Sequence, residues 1–193
     1  MDPVVLEVYG DDAPTVLFVG RGVPNKRIED LLYAFHYYQR FCAPKARFVH
    51  VGSYTGLEFY HWHVMMLARQ LGLENVLFAE SVSQAELNAY FHCADVFLAM
   101  SEHEGFCIPL VESMVHDLPV LAYAAAAVPE TLDGAGVLFN EKRFDLVAEM
   151  MDRLVSDHHF REGVVAGQRA RLERYRARDL AGELREHLAP LIE

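Results

Sequence analysis

Val96-Phe-Leu-Ala-Met100, then Ser101-Glu-His, then Glu104-Gly-Phe-Cys-Ile-Pro-Leu-Val-Glu112 is the stretch that decides how this chain folds. The opening five residues form an unbroken apolar run of strand length, and the proline at 109 is a helix-start signal. Pro109 suits the first helical position because its fixed φ matches the helix and its missing N–H would have had no partner there. The stretch therefore reads as a strand, a tight turn and a helix beginning near Ile108 or Pro109. The amides of Gly105, Phe106, Cys107 and Ile108 would approach or enter that helix without intrahelical acceptors. With the positive end of the helix dipole behind them they form a ready anion site. Gly105 would let the backbone take positive φ or come close to a ligand. Glu112 falls about one turn into the helix, and a carboxylate, which only accepts hydrogen bonds, suits sugar hydroxyls better than phosphate. The plain alternative is a capped helix with two surface acids near its positive end.

Working outward, apolar runs recur at 15–19, 46–51, 75–79, 95–99 and 118–122, with a short sixth at 136–139. Helical spacing fills 27–41, 57–71, 84–92 and 109–116, a short helix follows Pro129, and the pattern beyond Asn140 is purely helical. Short apolar strands alternating with helices imply an α/β fold, a Rossmann-like three-layer sandwich with a mostly parallel sheet of about six strands. Residues 1–13 read as a linker or frayed N-terminus, and 14–193 as one domain with C-terminal helices.

In such a sheet, ligands bind beyond the carboxyl ends of the strands. Those ends carry Gly20-Arg-Gly22, Gly52-Ser-Tyr-Thr-Gly56, Glu80-Ser-Val-Ser83, Ser101-Glu-His-Glu104 and Tyr123 to Pro129. Gly20, Gly22 and Gly52 allow close backbone approach. Arg21 and Lys26 bring the cations a diphosphate needs, or else are ordinary surface charges.

Composition narrows the partners. A formal net charge of −11 excludes general binding to nucleic acid, which rests on neutralising phosphates with Lys and Arg. The Arg161 to Arg178 run is interspersed with acids and reads as a solvated helix face. No apolar run reaches the roughly 18 residues of a membrane span, and the N-terminus lacks the basic region of a signal peptide, so a cytoplasmic protein is expected. Cys42, Cys93 and Cys107 have neither disulfide-framework nor zinc spacing. His61 and His63, two apart, would face different sides of a helix, and no further ligands for a metal are evident. His103 could donate to phosphate or sugar, or simply pack.

The ordered motifs resemble those of the C-terminal, nucleotide-sugar-binding half of retaining GT-B glycosyltransferases, in particular glycosyltransferase family 4, group 1. They are Phe-Val-Gly-Arg21 with Asn25-Lys26, His50-Val-Gly52, Ala94 to Ser101, Glu-Gly-Phe-x-x-Pro-Leu-x-Glu, Leu118-Pro-Val120, Val128-Pro-Glu130 and Gly136-Val-Leu-Phe139. The resemblance implies that Arg21 and Lys26 hold the donor diphosphate and that Glu104 lies by the donor sugar or phosphate. It places the Gly105, Phe106, Cys107 and Ile108 amides on sugar and diphosphate, Glu112 on the ribose, and Ser81 and Val82 near the base. The implied reaction is transfer of a sugar from a nucleotide-diphosphate sugar, UDP- or GDP-linked, to a glycan or lipid-linked acceptor in polysaccharide or glycoconjugate biosynthesis. No metal or other cofactor is implied, and the full-length protein could associate peripherally with the inner face of the membrane.

Three features depart from that family. Cys107 stands where glycine is frequent, which would add a side chain near the sugar site. Ala126-Ala127 replaces a glycine pair. The length leaves room for only one of two Rossmann-like domains, so the N-terminal acceptor domain is expected to be missing and the isolated chain to be inactive. The alternative from another class is a non-catalytic nucleotide-sugar-binding or assembly module of the same fold.

Overall fold

A computed structural model describes residues 1–192 of the protein, so the final residue of the 14–193 domain lies outside the described residues. The elements are α1 (Pro3–Tyr9), β1 (Thr15–Val19), α2 (Ile28–Phe41), β2 (Arg47–Val51), α3 (Glu58–Gln70), β3 (Val76–Ala79), α4 (Gln84–Cys93), β4 (Val96–Ala99) and α5 (Ile108–Val115). β5 (Val120–Tyr123), α6 (Val128–Leu132), β6 (Val137–Phe139), α7 (Phe144–Ser156), α8 (His158–Arg176) and α9 (Leu180–Ile192) follow. All strand pairs are parallel, in the order β3-β2-β1-β4-β5-β6. This is the Rossmann order, and the direction of strand addition reverses between β1 and β4.

The central strands are mostly apolar because helices cover both faces of the sheet. Leu17, Phe48, Val49, Phe97, Leu98 and Leu121 are buried, and Phe35 and Tyr38 of α2 close over them. The other aromatics of α2 divide as a helical stripe should: Tyr33 stacks on Phe144 of α7, whereas Phe41 is exposed. Pro119, which has no N–H, opens β5. The backbone groups on either side of it are satisfied by buried Gln168 of α8, which donates to the Leu118 carbonyl and accepts from the Val120 amide, both at 2.8 Å. The arginine-rich C-terminal run is tied to the body rather than simply solvated: Arg169 pairs with Asp117, and Arg171 and Arg174 with Asp133.

The N-terminus differs from the linker or frayed segment expected for residues 1–13. Asp2-Pro3 is a helix start, with the Asp2 carboxylate accepting from the amides of Val4 and Val5 at 2.9 and 3.1 Å. The helix docks on α4, burying Val5 and setting Tyr9 edge-on to Tyr90.

Among the described residues six non-glycines have positive φ, and they fall into two groups. Asn75, Asp117 and Asp133 precede β3, β5 and β6, at the amino edge, and their short polar side chains tolerate that conformation. Arg27, Cys107 and Ala126 follow β1, β4 and β5, at the carboxyl edge, and have no such excuse. Backbone strain in this protein is thus gathered at one edge of the sheet, where strain marks function.

Ala126 is exposed at φ 49°, so Ala126→Gly should raise the unfolding free energy by about 1 kcal/mol in urea titration, relief of the left-handed penalty outweighing the added chain entropy. Gly52→Ala should do the opposite and cost several-fold more, because its new Cβ would lie 1.8 Å from the Gly20 carbonyl oxygen.

Candidate functional site

The carboxyl ends of β1 and β4 are laced together across the point of strand reversal. The turn after β1 contains a 3₁₀ segment, Pro24–Lys26, and runs against the loop after β4. The Glu102 amide donates to the Asn25 carbonyl at 2.9 Å, the Asn25 side-chain amide donates to the His103 carbonyl at 3.0 Å, and Lys26 Nζ meets Glu104 Oε1 at 2.5 Å. Beside this lacing, Asp30, 4 % exposed, takes both Arg27, through two contacts, and Lys142 from the loop after β6. Lys142 also reaches Glu102 at 2.9 Å and lies 4.7 Å from the centre of the Tyr123 ring. The ends of β1, β4 and β6 are therefore joined by one charge network, which the Tyr123 ring of β5 adjoins.

The glycine turn after β1 is held from β2. Burial keeps His50 neutral, pushing its pKa down to about 4. Its Nε2 faces the Gly20 carbonyl at 2.8 Å and must be the donor there, which leaves Nδ1 to accept from the Tyr54 hydroxyl at 2.9 Å. A Cβ on Gly22 would meet the Tyr54 ring at 2.1 Å. Gly22 and Gly52 are thus required first by contacts inside the protein, a different reason from the ligand approach expected of them.

The helix predicted near Ile108 or Pro109 begins at Ile108. Its N-cap, Cys107, adopts φ 66° and makes no side-chain cap. The positive φ that Gly105 was expected to supply falls on Cys107, the position where the resembling family has glycine. The Cys107 side chain is buried in the core rather than projecting into the open site, and burial together with the neighbouring Glu104 carboxylate pushes its thiol up to about 12. It is inert as a nucleophile at neutral pH. Among the described residues, none of the amides of Gly105, Phe106, Cys107 or Ile108 donates a hydrogen bond within the chain. A Cβ placed on Gly105 meets nothing within 4 Å, and Gly105, Phe106 and Ile108 are exposed.

The remaining predicted residues take distinct positions. Arg21 is exposed and, among the described residues, makes no ion pair, whereas Lys26 is already matched by Glu104. Glu112 is half-buried, its carboxylate makes no hydrogen bond among the described residues, and its pKa is raised by desolvation. An unpartnered, desolvated carboxylate one turn inside a helix that opens on a crevice is a binding-site signature. Ser81 and Val82 stand apart at the end of the outermost strand, two strand spacings or about 10 Å from β1. His61 stacks on Tyr54 at 4.2 Å, and among the described residues no group of three acids, histidines or cysteines could hold a metal. Asn25, quoted in the sequence only as part of a motif, supports the site through the lacing. Asp30, Tyr54, Lys142 and Thr131, whose hydroxyl donates to the Phe106 carbonyl at 2.6 Å, support it without having been singled out in the sequence, and no local signal marks them.

This geometry has known counterparts. The family model described as glycosyl transferases group 1 matches residues 7–171. An uncharacterised glycosyltransferase of Methanocaldococcus jannaschii is 30% identical over 164 residues, covering 80% of this chain and 39% of its own length. A serotype-specific mannosyltransferase of Escherichia coli is 24% identical over 139 residues, 71% of this chain and 17% of that protein. Among solved structures, Anabaena HepE in complex with UDP and glucose superposes with a TM-score of 0.76 at 21% identity, over 88% of this chain and 47% of that one. The C-terminal domain of a group 1 glycosyl transferase from Francisella tularensis gives 0.73 at 21% identity, over 88% and 90%. The chain spans well under half the length of the curated relatives it matches. With the family model covering most of its residues, this chain belongs to the group 1 glycosyl transferases.

Proposed function

We propose that this chain is the donor-binding domain of a retaining glycosyltransferase, acting with an acceptor-binding domain that lies outside the sequence. The observation that carries the reading is the row of amides from Gly105 to Ile108, unpaired among the described residues, at the start of α5 on the carboxyl edge where the strand order reverses and where the Arg21 turn also lies. Amides and a guanidinium fixed in advance suit a diphosphate, and they gain most when that diphosphate departs and takes up charge.

In this reading the bond between the anomeric carbon and the diphosphate oxygen breaks with its electron pair on the diphosphate, an acceptor hydroxyl oxygen bonds to that carbon, and the hydroxyl proton passes to the departing diphosphate. Arg21, Lys26 and the amides of residues 105–108 take up the developing charge. Glu104, held by Lys26, accepts from a sugar hydroxyl or orients Lys26 toward phosphate. Glu112 accepts from the ribose hydroxyls, which satisfies its unpartnered carboxylate. The turns at Gly20, Gly22 and Gly52 border the diphosphate, and Ser81 and Val82 border the base. The UDP and UDP-glucose held by structural neighbours make a UDP-sugar the first donor to try, with a GDP-sugar second. No metal is assigned a part. No helix among the described residues is long and apolar enough to cross a membrane. A glycan or lipid-linked acceptor would be met through the second domain, at the inner face of the membrane in the lipid-linked case. The alternative is a non-catalytic nucleotide-sugar-binding or assembly module of the same fold, for which the Cys107 thiol, buried beside Glu104, is a ground.

Calorimetric titration with UDP, GDP and ADP should find binding to at least one, weakened about tenfold or more by Arg21→Ala. Binding to none of the three would overturn the reading. Gly105→Ala should leave unfolding unchanged within about 0.5 kcal/mol, because its methyl meets only open space, yet weaken nucleotide binding by filling the approach to the amides.

Because burial raises the Glu112 pKa, its carboxyl is protonated sooner than an exposed one as pH falls. A protonated Glu112 accepts fewer hydrogen bonds, so affinity for a UDP- or GDP-sugar, whose phosphates keep their charge, should decline toward acid pH. Glu112→Gln should bind more weakly at neutral pH and lose that part of the acid decline. An identical pH profile in parent and variant would remove Glu112 from the ribose site.

A further inference from the structure

We infer that Thr131 is a positioning residue for the amide row after β4, and that α6 serves as its backing. The inference deepens the donor-binding reading and rests on it for its purpose. The loop from Glu102 to Cys107 runs between two walls. On one side is the turn after β1, which holds residues 102–104 through Asn25 and Lys26. On the other is α6 with the residue before it. Thr131 Oγ1 donates to the Phe106 carbonyl at 2.6 Å, and the Ala127 amide approaches the Glu104 carbonyl at 3.4 Å.

A trans peptide unit points its C=O and N–H in opposite directions. Holding the Phe106 carbonyl toward α6 therefore turns the Cys107 amide away from α6, and holding the Glu104 carbonyl does the same for the Gly105 amide. Away from α6 is the side on which Asn25 and Lys26 hold residues 102–104. Two of the four donors of the anion site are aimed by α6, the shorter of the two bonds being made by the Thr131 side chain.

Thr131 is itself fixed. It is 2 % exposed, and its carbonyl accepts from Arg171 Nε at 3.1 Å and from the Tyr175 hydroxyl at 2.8 Å. Arg171 also donates to the Glu130 carbonyl at 2.9 Å and lies 4.3 Å from the centre of the Tyr175 ring. Tyr175 in turn meets the Phe106 ring edge-on at 5.9 Å. The C-terminal part of α8 thus braces α6, and α6 braces the loop. Cys107, strained at φ 66°, needs such bracing more than a glycine would.

The test compares the parent chain with Thr131→Val, which keeps shape and loses the donor, and Thr131→Ser, which keeps the donor. Backbone 15N relaxation of the unliganded proteins reads the loop, and calorimetric titration with UDP, GDP and ADP reads the site. The expected result is that Gly105 to Cys107 hold an order parameter near 0.85 in the parent and in Thr131→Ser and fall below about 0.6 in Thr131→Val. Affinity for the bound nucleotide should drop about tenfold in Thr131→Val alone, with the order parameters of α8 unchanged as a control for folding. Order parameters at 105–107 that are the same in all three proteins overturn the positioning role whatever the affinities. A loosened loop with nucleotide affinity unchanged also overturns it. A loosened loop in a chain whose parent binds no nucleotide upholds the bracing and overturns the donor reading instead.

Discussion

The lacing of the turn after β1 to the loop after β4 is the interaction on which the site depends. A parallel sheet that adds strands in both directions from β1 and β4 leaves their carboxyl ends with loops diverging to opposite faces. That divergence opens a crevice, and without cross-links the crevice would be two independent loops. Here Asn25 bonds His103 and Glu102, Lys26 pairs with Glu104, and Asp30 gathers Arg27 and Lys142. Removing Asp30 would leave two cations in a partly buried setting without their shared partner, which is the costly way to break such a network. The crevice is therefore stiff before any ligand arrives, as electrostatic stabilisation of a departing group requires.

Strain and unsatisfied polar groups share this place. Arg27 and Cys107, both left-handed, cap α2 and α5 directly at the crevice. Four backbone amides and the Glu112 carboxylate face it without partners. A hydroxyl-bearing polyanion answers both needs, since the amides want acceptors and the carboxylate wants donors.

The sheet was legible because strands buried on both faces must be continuous apolar runs, and β1 in particular coincides with the run at 15–19. The start of α5 was legible from Pro109. Cys107 was not, because cysteine carries no signal for positive φ, so the turn was assigned to Gly105. The α1 helix was missed because a terminal position outweighed the Asp2-Pro3 cap. The network around Asp30 could not be read at all: Lys142 lies 112 residues away in sequence, and nothing local to either residue marks the pairing. Thr131 was hidden in the same way, its role being set by a carbonyl 25 residues earlier.

Two-dimensional amide spectra recorded during addition of UDP or GDP test the central claim most directly, because they report which backbone donors meet the phosphates. The largest shifts should fall on Gly105 to Ile108, with Arg21 moving alongside and α9 silent. Shifts concentrated elsewhere, with the amides of residues 105–108 unmoved at saturation, would contradict the assignment of this crevice as the diphosphate site.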